Sequence, residues 1–296
     1  MADKTPVNDN EQLMRRATYA AAIIATVIII AKLSGWLLTG SIALLASLID
    51  SVLDVVVSLV NMAAVHYALQ PPDEEHRFGH DKAEDLATFI QSAFIGGSAV
   101  IIVYEACRRL TMDELPSLPI IGIGVSLFAT ILTLILVRYQ RYVVKKTGSS
   151  IIAADRLHYT SDIMINIAII ASLTINKFYP NQWIDPICAI GVATYMIYSA
   201  WEIVQGAFNN LMDHEFSTDD RDAICEIINN HPEVLGMHEM KTRRSGNKRF
   251  IQFHLEMDGT ISLYDAHRIS DEIENMIRLR FPLAEIFIHQ DPRPVR

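Results

Sequence analysis

The chain has 296 residues, is 51 % hydrophobic and carries a formal charge of -9. That balance argues against a nucleic-acid partner, which wants a basic patch. Cys107, Cys188 and Cys225 lie far apart with no C-x-x-C, which suggests neither a disulfide framework nor a thiolate metal site.

The hydrophobicity is unevenly spread. Residues 1–16 are polar and read as a cytoplasmic lead, disordered over 1–12 and not a cleavable signal peptide. Apolar runs follow over about 17–38, 42–68, 86–109, 118–139, 151–175 and 186–209. Each has roughly the twenty residues that cross a bilayer. Gly40-Ser41 leaves so short a turn that the first two spans must be antiparallel neighbours, and Pro71-Pro72 stops the second helix. An even number of spans puts both termini on one side. Lys4, Arg15, Arg16, Arg77, Lys82, Arg138, Arg141, Lys145 and Lys146 stand on that side, against Arg108, Arg109 and Lys177 on the other. The positive-inside rule then places both termini in the cytoplasm.

From residue 210 the pattern changes to α-β-β-α-β. Ser217-Thr218 can cap a helix to about 230, and Ser262 starts another to about 280. Strands of about 234–243 and 249–257 meet at Ser245-Gly246-Asn247, and AEIFIHQ forms the last strand. Ile251, Phe253, Leu255 and Met257 alternate with Gln252, His254 and Glu256, so one face is core. The expected fold is an α-helical membrane protein with six transmembrane helices over 17–209, then a cytoplasmic α+β domain over 210–296.

Two pairs of ionisable residues sit inside the spans, where a central Asp costs roughly 2.5–3.5 kcal/mol. Asp50 and Asp54, in SLIDSVLDVV, are spaced i, i+4, as are His158 and Asp162 in RLHYTSDIMI. Each pair therefore shares a helix face. Span two runs inward and span five outward. A rise of ~1.5 Å per residue brings Asp54 and Asp162 near the midplane of a ~30 Å core. Three carboxylates and one imidazole suit tetrahedral zinc; the alternatives are helix-packing glue or a metal-free proton relay. The pairs lie in halves of opposite topology, as in an inverted repeat with a midplane site.

Asp73, His76 and His80, in DEEHRFGH with a bend at Gly79, read either as a small cation site or as a solvated loop. In the tail, His238, His254, His267, His289 and Asp291 lie off the apolar positions. They read as ligands for one or two zinc ions or as plain surface. Lys82 and Asp213, near the cytoplasmic ends of spans three and six, can pair within or between subunits, or stand as exposed charges worth under ~1 kcal/mol.

From about residue 15 to 291 the chain resembles a bacterial cation diffusion facilitator, close to the zinc/iron exporters of that family. The likeness rests on D-x-x-x-D in ASLIDSVLD, H-x-x-x-D in LHYTSD, the loop DEEHRFGHDKAE, and FIQFHLEMDG with IHQDP in the tail. It implies a homodimeric metal/proton antiporter in the inner (plasma) membrane of a bacterium, with a metallochaperone-like cytoplasmic domain. It carries the transport site onto Asp50, Asp54, His158 and Asp162, and the loop site onto Asp73, His76 and His80. A binuclear tail site falls on His238, His254, His267, His289 and Asp291, with Asp291 as a bridge. Leu157 matches a hydrophobic gate, and Lys82 with Asp213 a charge interlock at the dimer interface. The Asp-Asp/His-Asp set is like that of zinc and cadmium transporters.

The expected function is export of Zn2+, with Cd2+ and Fe2+ as the other candidates. Metal enters from the cytoplasm at deprotonated ligands, the bundle rocks outward, and protons displace it. His158 is the expected proton carrier, because an imidazole changes charge in the working range of pH. Zinc in the tail would tighten the dimer. The rival is a membrane-anchored metal sensor that moves nothing. An enzyme is not expected, since no H-E-x-x-H or comparable motif supplies a water-activating base.

Overall fold

The computed structural model describes residues 6–39, 42–109, 120–178, 183–246, 248–282 and 284–293. The chain divides into two compact units, Met1–Phe208 and Asn209–Arg296.

Six helices stand where six spans are predicted: α1 (Pro6–Thr39), α2 (Ile42–Ala68), α3 (Lys82–Arg109), α4 (Ile120–Thr147), α5 (Ser150–Phe178) and α6 (Ile184–Leu211). Among the described residues, α1, α2, α3, α4 and α6 hold stretches long and apolar enough to cross a membrane. α5 has the length, but it places Asp155, Arg156, His158 and Asp162 in its first four turns. Gly40-Ser41 and residues 110–119, between α3 and α4, lie outside the described residues.

Two helices are longer than their apolar runs. The lead expected to be disordered is helical from Pro6 onward. Leu13, Met14 and Ala17 share a face that packs on Val65, Val143, Ile151 and Ile152, and this burial extends α1 beyond the hydrophobic run. α4 likewise continues past its apolar run to Thr147, so Arg138, Arg141, Lys145 and Lys146 all ride on the helix. Fully buried Val143 holds that last stretch. Gly148, at φ 70, then ends it, with its N–H donating to the Val144 carbonyl at 2.8 Å.

α5 is the hub of the bundle. Tyr159 is buried against Ala21 and Leu136, and its hydroxyl meets Ser58 Oγ of α2 at 2.8 Å. Leu157, the expected gate, is buried among Ile95 and Ala99 of α3 and Val192, Ala193 and Met196 of α6. Alanines at these crossings let helix backbones approach closely, which is how helices gain packing energy in lipid.

The second unit has the predicted order: α7 (Thr218–Asn229), β1 (Gly236–Ser245), β2 (Lys248–Asp258), α8 (Leu263–Arg280) and β3 (Ala284–Arg293). Ser217 and Ser262 cap the two helices, accepting from the N–H groups of Asp220 and Asp265; each cap contributes about 1 kcal/mol. The sheet order is β1-β2-β3. β1 and β2 pair antiparallel, while β3 returns through α8 to lie parallel to β2. Ile224 and Ile228 of α7 and Ile269, Ile273 and Ile277 of α8 cover Ile251, Phe253, Leu255 and Met257 of β2. Each such side chain contributes roughly 1.5–3 kcal/mol on burial. Both helices are thereby held on one face of the sheet, and the other face is left to Gln252, His254 and Glu256.

Candidate metal centres

α2 and α5 bring Asp54 to His158 and Asp162. His158 Nε2 lies 3.0 Å from Asp54 Oδ1 and 4.0 Å from Asp162 Oδ2. One ligand atom from each of the three falls within 4.8 Å of the others. The three are partly buried, so an ion held there would exchange most of its water for protein ligands. The fourth expected ligand, Asp50, is one turn before Asp54 on α2; its side chain lies outside the described residues.

The loop after α2 folds round Asp73. Its Oδ1 accepts the backbone N–H groups of Glu75 at 3.0 Å and His76 at 2.6 Å. The His76 N–H is the main reason its carboxyl sits below the usual carboxylate range. The same carboxylate reaches His76 Nδ1 and His80 Nε2, each at 3.2 Å. Gly79, at φ 89, supplies the bend that a side chain would resist. The His80 side chain is 2 % exposed, and its Nδ1 is buried with no hydrogen-bond partner among the described residues.

In the second unit, strand register does the gathering. His238 stands opposite His254, and His254 opposite His289, so three strands present three imidazoles in one row. Asp291, two residues beyond His289, turns to the same face. Its Oδ2 lies 2.9 Å from His254 Nδ1 and 3.3 Å from His238 Nε2, and its Oδ1 lies 3.2 Å from His289 Nε2. The His254 hydrogen bond is the leading cause of an Asp291 carboxyl held low. A β-bulge follows His238, with Glu239 in the left-handed region at φ 50.

His267, grouped with these residues from the sequence, is not brought to them. It is 72 % exposed on α8, 3.6 Å from Asp271. α8 covers the Ile251 face of the sheet, whereas His254 points from the opposite face, so the two cannot meet within one chain. Two carboxylates near the row were not foreseen. Glu256 Oε1 lies 3.2 Å from His238 Nδ1, which the alternation with His254 could have indicated. Glu239 Oε2 lies 3.9 Å from His254 Nε2, and no local signal marks the bulge that places it there. Asp213 lies 3.4 Å from Arg243 within its own unit, and Lys82 begins α3.

His231, Glu233 and Glu272 form a further group with metal-ligand spacing. Arg268 already sits among them, donating to both Glu233 oxygens at 2.9 and 3.0 Å and to Glu272 at 2.8 Å. These bonds hold the Arg268 pKa above, and the Glu272 pKa below, the ordinary value. With a guanidinium between the carboxylates, the group is a brace between α8 and the turn after α7.

A helical membrane bundle with carboxylates and an imidazole converging between two helices, and a sheet domain with a second such set, defines a protein that handles metal cations at a membrane. Residues 18–212 match the family described as Cation efflux transmembrane domain, and residues 216–293 the family described as Cation efflux protein, cytoplasmic domain. Protein p34 of Rickettsia prowazekii is 45 % identical over 285 residues, covering 96 % of this chain and 94 % of its own. The cation-efflux pump FieF of Cronobacter sakazakii is 43 % identical, covering 96 % and 95 %. FieF of Yersinia pestis is 44 % identical, covering 94 % and 93 %. The metal-bound C-terminal domain of the CzcD transporter from Thermotoga maritima is 33 % identical over 25 % of this chain and 87 % of its own, with a TM-score of 0.24. The chain belongs to the cation efflux, or cation diffusion facilitator, family: it is a cation-efflux transporter and not an enzyme.

Proposed function

We propose that the protein exports a divalent cation in exchange for protons by alternating access, with Zn2+ the first candidate and Cd2+ and Fe2+ the next. The observation that carries this is the convergence of Asp54, His158 and Asp162 from two helices. Two carboxylates and an imidazole suit zinc, and Asp50 is the fourth member of the set read from the sequence. The ligands bind metal only when deprotonated, so protons arriving from outside release the ion and reset the site. Leu157 is buried immediately before His158 between α3 and α6, so any turn of α5 that exposes His158 to one side must carry this gate with it.

The membrane is the inner membrane of a bacterium, both termini are cytoplasmic, and two chains work as a dimer with Lys82 and Asp213 as its charge interlock. His238, His254, His289 and Asp291 hold resident Zn2+ in the C-terminal unit, and the loop of Asp73, His76 and His80 takes another ion. For the loop, the ring nitrogen of buried His80 that has no hydrogen-bond partner among the described residues supports a site that expects a further ligand or water.

The test is Zn2+ flux into liposomes containing the purified protein. Asp54→Ala and His158→Ala should each reduce flux to background. Wild-type flux in both would remove the midplane site. A protein that binds Zn2+ but moves none in any form would be the membrane-anchored sensor instead.

A further inference from the structure

Asp155 of α5 is 3 % exposed, about one turn before His158, and takes no part in the groups above. Its carboxylate collects three carboxamides, each from a different helix. Asn61 Nδ2 of α2 donates to Oδ1 at 2.9 Å, Gln91 Nε2 of α3 to Oδ1 at 3.4 Å, and Gln140 Nε2 of α4 to Oδ2 at 2.5 Å. All three donors are neutral. A carboxylate buried without a cation is costly, and neutral hydrogen bonds offset that only in part. Packing alone does not ask for an acid here.

The cage has a second property. The carbonyl oxygens Gln91 Oε1 and Gln140 Oε1 are buried and, among the described residues, have no hydrogen-bond partner. A carboxamide turned by half a rotation offers its oxygen where its NH2 stood. As the amides stand, the cage donates to a carboxylate. With one glutamine turned, it accepts the O–H of a carboxylic acid, and an orphaned carbonyl gains a partner. The same side chains can therefore hydrogen-bond the carboxyl group in both of its protonation states.

We propose that Asp155 binds and releases a proton during transport, as an exchange site separate from the metal ligands. This rests on the antiport reading above. The proton bonds to a carboxylate oxygen as a carboxamide turns, and leaves to water as it turns back. The titratable groups acting on Asp155 are His158 and Tyr159 of its own helix; Arg156, next to it, is half-buried. α1, α2, α3 and α4 face it with Thr18, Asn61, Gln91 and Gln140, none of which ionises. The acids in the first turn of α3, Glu84 and Asp85, bond Ser149 and Ser150. Asn61 shares α2 with Asp54, and Asp155 shares α5 with His158, so the cage bridges the same two helices that carry the metal group.

The test uses full-length protein in liposomes with Zn2+ as the probe, reading zinc uptake and lumenal pH together over a pH series. Asp155→Asn keeps the shape and removes the exchangeable proton. Fewer protons should then move per zinc, the pH dependence of flux should flatten, and the maximal rate should fall about tenfold. Half-saturating zinc should stay near the wild-type value, because the metal ligands are untouched. Gln140→Leu keeps the acid but removes a donor to its ionised form. The pH midpoint of flux should therefore move to higher pH by about one to two units. A wild-type proton count and pH profile in Asp155→Asn would overturn the proposal. Where Asp155→Asn does not assemble, an unmoved midpoint in Gln140→Leu overturns it alone. Wild-type protein that carries zinc with no proton counterflow would remove the antiport reading, and this site with it.

Discussion

The candidate ligand groups of the two units share a chemistry and differ in their support. Asp54 stands on α2 while His158 and Asp162 stand on α5, and at that level side chains alone join the helices. His238, His254 and His289 stand on strands whose backbones are paired at those same residues. Packed helices can shift between discrete arrangements by repacking side chains. Strands cannot slip by one residue without sending the histidines to the other face. The first support can open and close round an ion, whereas the second keeps its ligands at a set spacing. Under the export reading, this mechanical difference separates a cargo site from a resident one more sharply than ligand type does.

The comparison breaks most plainly on flux. Asp162→Ala should reduce Zn2+ transport in liposomes to background, whereas Asp291→Ala should leave it measurable; equal loss in both would erase the distinction. Next in size is Ile273→Ala, which opens a cavity under the sheet. It should lower the stability of the C-terminal unit by about 2–5 kcal/mol in urea unfolding, loosening the tail ligands while Asp54 and His158 stay as they are. Asp291→Asn keeps the fold and weakens the shared acceptor of three imidazoles. Competition against a metal buffer should show tail affinity for Zn2+ about 10–100-fold lower. Glu239→Gly removes the left-handed strain at the bulge and should stabilise the unit by about 1 kcal/mol, read as a higher Tm.

The smallest effect is on acid tolerance. The Asp291 carboxyl is held low in the folded chain, so the unfolded chain binds more protons as acid is added. Its contribution is complete above about pH 4 and is lost as pH falls through the lowered folded value. Asp291→Asn should therefore flatten the fall of Tm in that acid range.

What could be read from the sequence was local. Alternation along β2 gave its buried face, serines at two helix starts gave the caps, and i, i+4 spacing put His158 and Asp162 on one side of a helix. Burial that comes from elsewhere in the chain was not legible. The polar lead is helical because α2, α4 and α5 supply a surface for Met14 and Ala17. His267 is excluded from the histidine row because α8 lies on the other side of the sheet. Asp155 passed unnoticed because its partners are neutral amides scattered over three helices.

By itself, the sequence determined where the long helices of the first unit lie, the order of the elements in the second, and which side chains share a face, since periodicity and capping depend on neighbours a few residues apart. Only the tertiary structure decided that α8 keeps His267 on the far side of the sheet from the histidine row, that a bulge brings Glu239 toward His254, and that three amides close on Asp155. Those outcomes depend on how separate elements pack and pair, and no window of neighbouring residues contains that information.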